Sequence, residues 1–208
     1  MLERIATYAN LDPAMDSNAR YPPRLCHPRT RTKIRDRLSN WLVNPQREWN
    51  MIWFHGPAGT GKSAIAQTFA ELCAENARLG ASFFYSRPNE CNDPNTVVPS
   101  LVYQLAVCHP EYKSLVTAQL VNDPKLLRKT QRAQFKKLIV EPFSLLHRPE
   151  PDIKYLFSRA ELAVNCGREE LAIDAVSIAD VDLYLQNGLA GIKERFWDAT
   201  TPTWPSEE

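Results

Sequence analysis

The stretch Met51-Ile52-Trp53-Phe54-His55-Gly56-Pro57-Ala58-Gly59-Thr60-Gly61-Lys62-Ser63 decides how this chain is read. Its four leading apolar residues, with polar residues before and glycines after, predict a short strand buried on both faces. Three of the chain's seven glycines fall in the next six positions. Seven in 208 residues is about half the usual ~7%. A chain sparing with glycine that concentrates it in one turn needs backbone shapes there that other residues resist. Ile65, Phe69, Leu72 and Cys73 then recur at helical spacing, predicting a helix through about Arg78. Ala81-Ser82-Phe83-Phe84-Tyr85 predicts a second strand. Strand, loop, helix and strand make a βαβ unit, hence a parallel sheet covered by helices.

Residues Gly56 to Ser63 satisfy the spacing GxxxxGK[ST], and each part has a physical use. Gly56, Gly59 and Gly61 let the loop through Pro57, Ala58 and Thr60 curl, turning successive N–H groups toward phosphate oxygens. The helix that follows adds the positive end of its dipole. Lys62 can reach the β- and γ-phosphates, and the Ser63 hydroxyl can ligate Mg²⁺. The implied ligand is Mg-ATP or Mg-GTP.

Outward from this loop the signals are plainer. Charge is balanced, 25 Lys+Arg against 24 Asp+Glu, so nothing global favours nucleic acid or an anionic membrane as partner. Cys26, Cys73, Cys91, Cys108 and Cys166 are scattered and form no CxxC pair, which favours reduced thiols. The opening residues lack the apolar core of a signal peptide, and no apolar run approaches a membrane span. A soluble, cytoplasmic protein is expected.

Residues 1–28, interrupted by Pro13, Pro22, Pro23 and Pro28, predict an irregular arm. Ile34, Leu38, Trp41 and Leu42 predict a helix that Thr30 or Thr32 could cap and Asn44-Pro45 ends. After a turn-rich loop over 86–95, helices are expected from Val98 to about His109, over 111–121, and over 131–146 with a kink at Pro142. LAIDAV at 171–176 suits a short strand, and Val181 to Phe196 a closing helix. Residues 198–208 read as a loop-like tail.

A P-loop NTPase also needs a Walker B strand, several apolar residues ending in an acid that holds Mg²⁺, usually beside a second acid that orients water. No run of four apolar residues followed by an acidic pair occurs. The nearest alternatives, LAID ending at Asp174 and LIVE ending at Glu141, read as ordinary structure.

With FHGPAGTGKSAIAQTFAE at 54–71, LGASFFYSRPN at 79–89 and VVPSLVYQLA at 97–106, the chain resembles the NACHT-type (STAND) NTPase domain of fungal NOD-like proteins. That group is also described as the nephrocystin-3-like N-terminal domain. The upstream PPRLCHPRTRTKIRDRLSNWL matches the segment before the first strand, with Arg29 where glycine is common. The resemblance covers about Tyr21 to Phe196 and implies an α/β, P-loop three-layer sandwich over 29–197. In the family a Walker B strand follows the helix corresponding to QFKKLIVEPFSLL. Here SLLH runs directly into Arg148-Pro149-Glu150-Pro151, which the family places after a later strand. A block of about 40 residues is therefore expected to be missing at His147–Arg148, given typical element lengths. Read alone, IKYLF at 153–157 suits either a strand or a helix; the resemblance assigns it a helix, Lys62 and Ser63 to phosphate and Mg²⁺, and Arg148 as a sensor arginine.

The basic stretch Arg20 to Arg37 reads as a solvated face flanking the nucleotide site, not a nucleic-acid patch. His27, His55, His109 and His147 stand apart, without metal-ligand spacing. The expectation is a hydrolysis-deficient, phosphate-binding fragment of a signalling domain with no catalytic residue of its own. The alternatives are a non-catalytic module that pairs with itself or with full-length relatives, and a P-loop small-molecule kinase.

Overall fold

The computed structural model describes residues 1–48, 51–86 and 89–146, the backbone of 154–158 and 169–172, and two helical positions, Leu183 and Asn187. In chain order the elements are α1 (Leu2–Ala6), α2 (Thr32–Val43), β1 (Ile52–His55), α3 (Lys62–Glu75), β2 (Leu79–Phe84), α4 (Val97–Cys108) and α5 (Pro110–Asn122). A helical run of α6 (Gln131–Phe135), a π-helical turn (Lys136–Val140) and α7 (Glu141–Leu145) follows, then β3 (Lys154–Ser158) and β4 (Glu169–Ala172). The predicted tail at 198–208 and the remainder of the predicted closing helix lie outside the described residues.

Both strand pairs are parallel. β1 lies beside β4 with Ile52 opposite Glu169 and His55 opposite Ala172. β2 lies beside β3 with Phe84 opposite Ser158 and an irregularity between Leu79 and Ala81. In the chain, α3 connects β1 to β2. Among the described residues β1 and β2 belong to separate two-stranded pairs. Residues 154–158 are therefore strand, not the helix expected by resemblance. Three of these five residues, Tyr155, Phe157 and Leu156, are aromatic or large and apolar, which suits a pleated surface. β4 overlaps the strand expected at 171–176 but begins at Glu169.

The main core is helical. Val98, Leu101, Val102, Leu105 and Ala106 line one side of α4 at positions i, i+3, i+4, i+7 and i+8, all buried. They pack with Tyr112, Val116 and Leu120 of α5, Leu138 of the π turn and Ala81 and Phe83 of β2. A second, smaller cluster joins Leu38 and Leu42 of α2 to Ile65, Phe69 and Cys73 of α3. β1 is less covered than predicted: Ile52, Trp53 and Phe54 are partly exposed.

Three local features depart from the sequence expectations. The arm over 1–28 is not irregular throughout. It begins with α1, whose Ile5 is 1% exposed within the main core. Arg4 donates to the carbonyl of Leu120, one that the end of α5 leaves open, and to that of Pro124 just beyond it. Neither Thr30 nor Thr32 caps α2: its N-cap is Arg31, in the left-handed region, and the Thr30 hydroxyl donates to the His27 carbonyl at 2.7 Å. Third, α3 ends at Glu75, short of the expected Arg78, in a Schellman motif. Ala77 has φ 53°, and Arg78 N–H reaches the Cys73 carbonyl at 2.7 Å.

Pro142 deforms its helix through hydrogen bonding. It has no N–H for the carbonyl four residues back, which is that of Leu138. The buried Tyr112 hydroxyl donates to that carbonyl at 2.6 Å, and the turn leading to Pro142 widens to π geometry.

The outer edge of β2 is closed by side chains. Gln104 accepts from Ser82 N–H and donates to the Ser82 carbonyl, both at 3.0 Å, as a neighbouring strand would. Phe84 N–H donates to the Pro13 carbonyl and Met15 N–H to the Ser82 hydroxyl, each at 2.9 Å. An edge covered in this way cannot template pairing with another chain.

Candidate phosphate-binding site

Gly56 to Ser63 form one loop between β1 and the first turn of α3. All three of its glycines have positive φ: 145° at Gly56, 81° at Gly59 and 83° at Gly61. L-residues with a Cβ resist these conformations, so the backbone itself explains the glycine cluster. A Cβ built on Gly59 or Gly61 would meet nothing within 4 Å, so the loop is open at both positions. Gly61 is the N-cap of α3, which places Lys62 and Ser63 in its first turn. The unpaired N–H groups and the positive dipole end of a 14-residue helix thus point into the loop.

The carbonyls of the loop need donors of their own. The Lys62 ammonium donates to the Gly56 carbonyl at 2.8 Å and the Pro57 carbonyl at 2.6 Å. The Thr60 hydroxyl also donates to Pro57, at 3.0 Å. From outside the loop, the Arg31 guanidinium donates to the Thr60 carbonyl at 2.9 Å. Ser63 is exposed, and its hydroxyl is the hard oxygen of the loop suited to Mg²⁺. The donor set therefore fits a magnesium-bound polyphosphate: backbone N–H groups, one ammonium and one hydroxyl.

Arg148, the sensor arginine of the resemblance, and Asp174, an acid read as ordinary structure, lie outside the described residues. Glu141 starts α7 and forms an i,i+4 ion pair with Lys137 at 2.9 Å, so it is surface structure. Among the described residues no three His, Cys, Asp or Glu side chains gather to hold a metal ion. Likewise, no helix among them is long and apolar enough to cross a membrane.

The basic stretch divides. Arg24, Arg29, Lys33, Arg35 and Arg37 are exposed, as a solvated face requires. Arg20 instead lies over the Phe84 ring, 3.9 Å from its centroid, and donates to the buried Gln67 at 2.7 Å. Burial lowers its pKa from the usual guanidinium value, partly offset by the nearby Cys91 thiol. Cys91 is buried too, and burial raises its pKa, which disfavours the thiolate form. Arg31, the other exception, was missed as a site residue because a charge run gives no sign of which member turns inward. The available signal was its position at the start of a helix preceding the loop-bearing strand.

The family model described as Nephrocystin 3, N-terminal, matches residues 32–153. The matched segment contains α2, β1, the whole glycine loop, α3, β2 and the helices through α7. No curated protein and no solved structure matches significantly. With more than half of its 208 residues matched, the chain belongs to the nephrocystin 3 N-terminal family.

Proposed function

We propose that this chain is a phosphate-binding fragment of a NACHT-type P-loop domain that takes Mg-ATP or Mg-GTP weakly and hydrolyses it negligibly. The observation that carries the reading is the triplet of left-handed glycines opening at the N-terminus of α3. Two parallel strand pairs connected by helices support the three-layer α/β architecture expected by resemblance. Lys62 exchanges the Gly56 and Pro57 carbonyls for phosphate oxygens, and Ser63 offers its hydroxyl to the metal. Bound Mg²⁺ would neutralise phosphate charge. Hydrolysis further requires acids that hold the metal and orient water, and the sequence carries no apolar run ending in an acidic pair. By resemblance to full-length relatives, nucleotide binding would bias a signalling platform toward assembly.

The second reading, a non-catalytic module that pairs with itself or with relatives, draws on one observation. β1, the strand feeding the loop, is half exposed and separate from the β2 pair among the described residues. Thermal melting separates the two. A ligand at roughly five times its Kd adds about 1 kcal/mol, or about 2–4 °C at this chain length. Such a rise with millimolar Mg-ATP supports binding, whereas an unchanged midpoint favours the module.

A further inference from the structure

We infer that Arg31 is a positioning residue that holds the phosphate loop open from outside, an inference that rests on the phosphate-binding reading above. If the loop's N–H groups are kept for phosphate, its carbonyls need other donors. Lys62 satisfies two of them, at Gly56 and Pro57, but a phosphate would draw that ammonium away. The Thr60 carbonyl, directly before the helix N-cap, is held by Arg31 at 2.9 Å. Guanidinium keeps its charge at any relevant pH and its fork is rigid, so this donor persists with or without ligand.

The segment that delivers Arg31 is built for the purpose. Cys26 N–H donates to the Thr68 hydroxyl at 2.9 Å, pinning the segment to α3. Thr30 is 6% exposed, and both its N–H and its hydroxyl donate to the His27 carbonyl, closing a tight turn. Arg29 and Arg31 flank it with φ of 67° and 55°. Each left-handed non-glycine residue costs about 1–2 kcal/mol, so the surroundings must impose both. The turn therefore aims Arg31 at the loop, and residues 26–31 form a strap between the middle of α3 and the turn that precedes it.

The test is amide hydrogen exchange on the full chain without nucleotide, comparing wild type, Arg31→Ala and Arg31→Lys. Arg31→Ala is expected to speed exchange at the bonded amides of the first turns of α3, beginning with the Ile65 N–H that donates to the Gly61 carbonyl, by about 3–10-fold while leaving α5 unchanged, because only local opening is altered. Arg31→Lys, which keeps one donor, should recover most of the protection. Unchanged exchange at the start of α3, or faster exchange spread equally through α5, overturns the inference. A parallel Mg-ATP titration keeps the two claims apart. If wild type binds and Arg31→Ala binds equally well, the positioning role is wrong. If wild type does not bind, the phosphate-binding reading fails, while the exchange data still decide whether Arg31 holds the loop.

Discussion

The two halves of this molecule are packed to different standards. Around α4 and α5, Val102, Tyr112 and Leu120 are completely buried, and α1 is drawn in to seal the layer. Around the glycine loop the core is a thin seam between α2 and α3, and β1 remains half exposed. The first half carries stability, and the second holds a preformed loop with little apolar cover. Local opening should therefore be easier near the loop than in the helices, as expected where a ligand must enter.

The largest effect that sharpens this contrast comes from Leu105→Ala. Deleting a large side chain at 1% exposure costs about 2–5 kcal/mol through lost burial and the cavity left behind. Chemical denaturation should register the full loss. An effect below about 1 kcal/mol would show that the helical half is no tighter than the loop half. Tyr112→Phe comes next. It removes the donor to the Leu138 carbonyl while keeping the ring that packs 5.1 Å from Phe143. A loss of about 1–3 kcal/mol is expected, because the carbonyl freed by Pro142 would stand buried and unpaired.

In the loop half, Arg29→Gly should stabilise slightly. Relief of a left-handed residue, about 1–2 kcal/mol, outweighs the greater backbone freedom of glycine when unfolded, about 0.5–1 kcal/mol. A net gain near 0.5 kcal/mol in urea denaturation is the expected result, and a loss would mean that the Arg29 side chain makes an uncounted contribution.

The smallest effect lies at Asp123. A hydrogen bond from Lys129 is the main cause holding its carboxyl below the usual range, against an opposing effect of desolvation. A carboxyl depressed in the folded state stabilises above its unfolded pKa, about 3.9, and that stabilisation fades as pH falls through the lower folded value. Melting curves from pH 6 to 3 should therefore fall slightly less steeply for Asp123→Asn than for wild type. Parallel curves would remove this pair from the acid response.

The same division governs what was legible in the sequence. The glycine loop could be read because its requirement is local: each of Gly56, Gly59 and Gly61 occupies a conformation that glycine favours. Helices α3 and α4 were legible from apolar spacing. Contacts across long separations were not. Ile5 joins a core built from residues beyond position 80, and four prolines after it hide any period in the arm. Pro142 announced a disturbed helix, but its remedy is a tyrosine hydroxyl on another helix. The composition of residues 154–158 allows strand or helix, and only pairing with β2 decides for the strand. Arg31 looked like one of many solvated cations until the fold placed it on Thr60.

The central claim is that the loop binds nucleotide phosphate without completing hydrolysis, and calorimetric titration of Mg-ATP into wild type and Lys62→Ala, with phosphate release followed in the same samples, tests it most directly. Loss of a charge-assisted bond to phosphate, about 1.5–3 kcal/mol, predicts roughly 10–100-fold weaker binding by Lys62→Ala, with negligible phosphate release from either protein. Equal heats from the two proteins, or steady hydrolysis by wild type that Lys62→Ala abolishes, would contradict it.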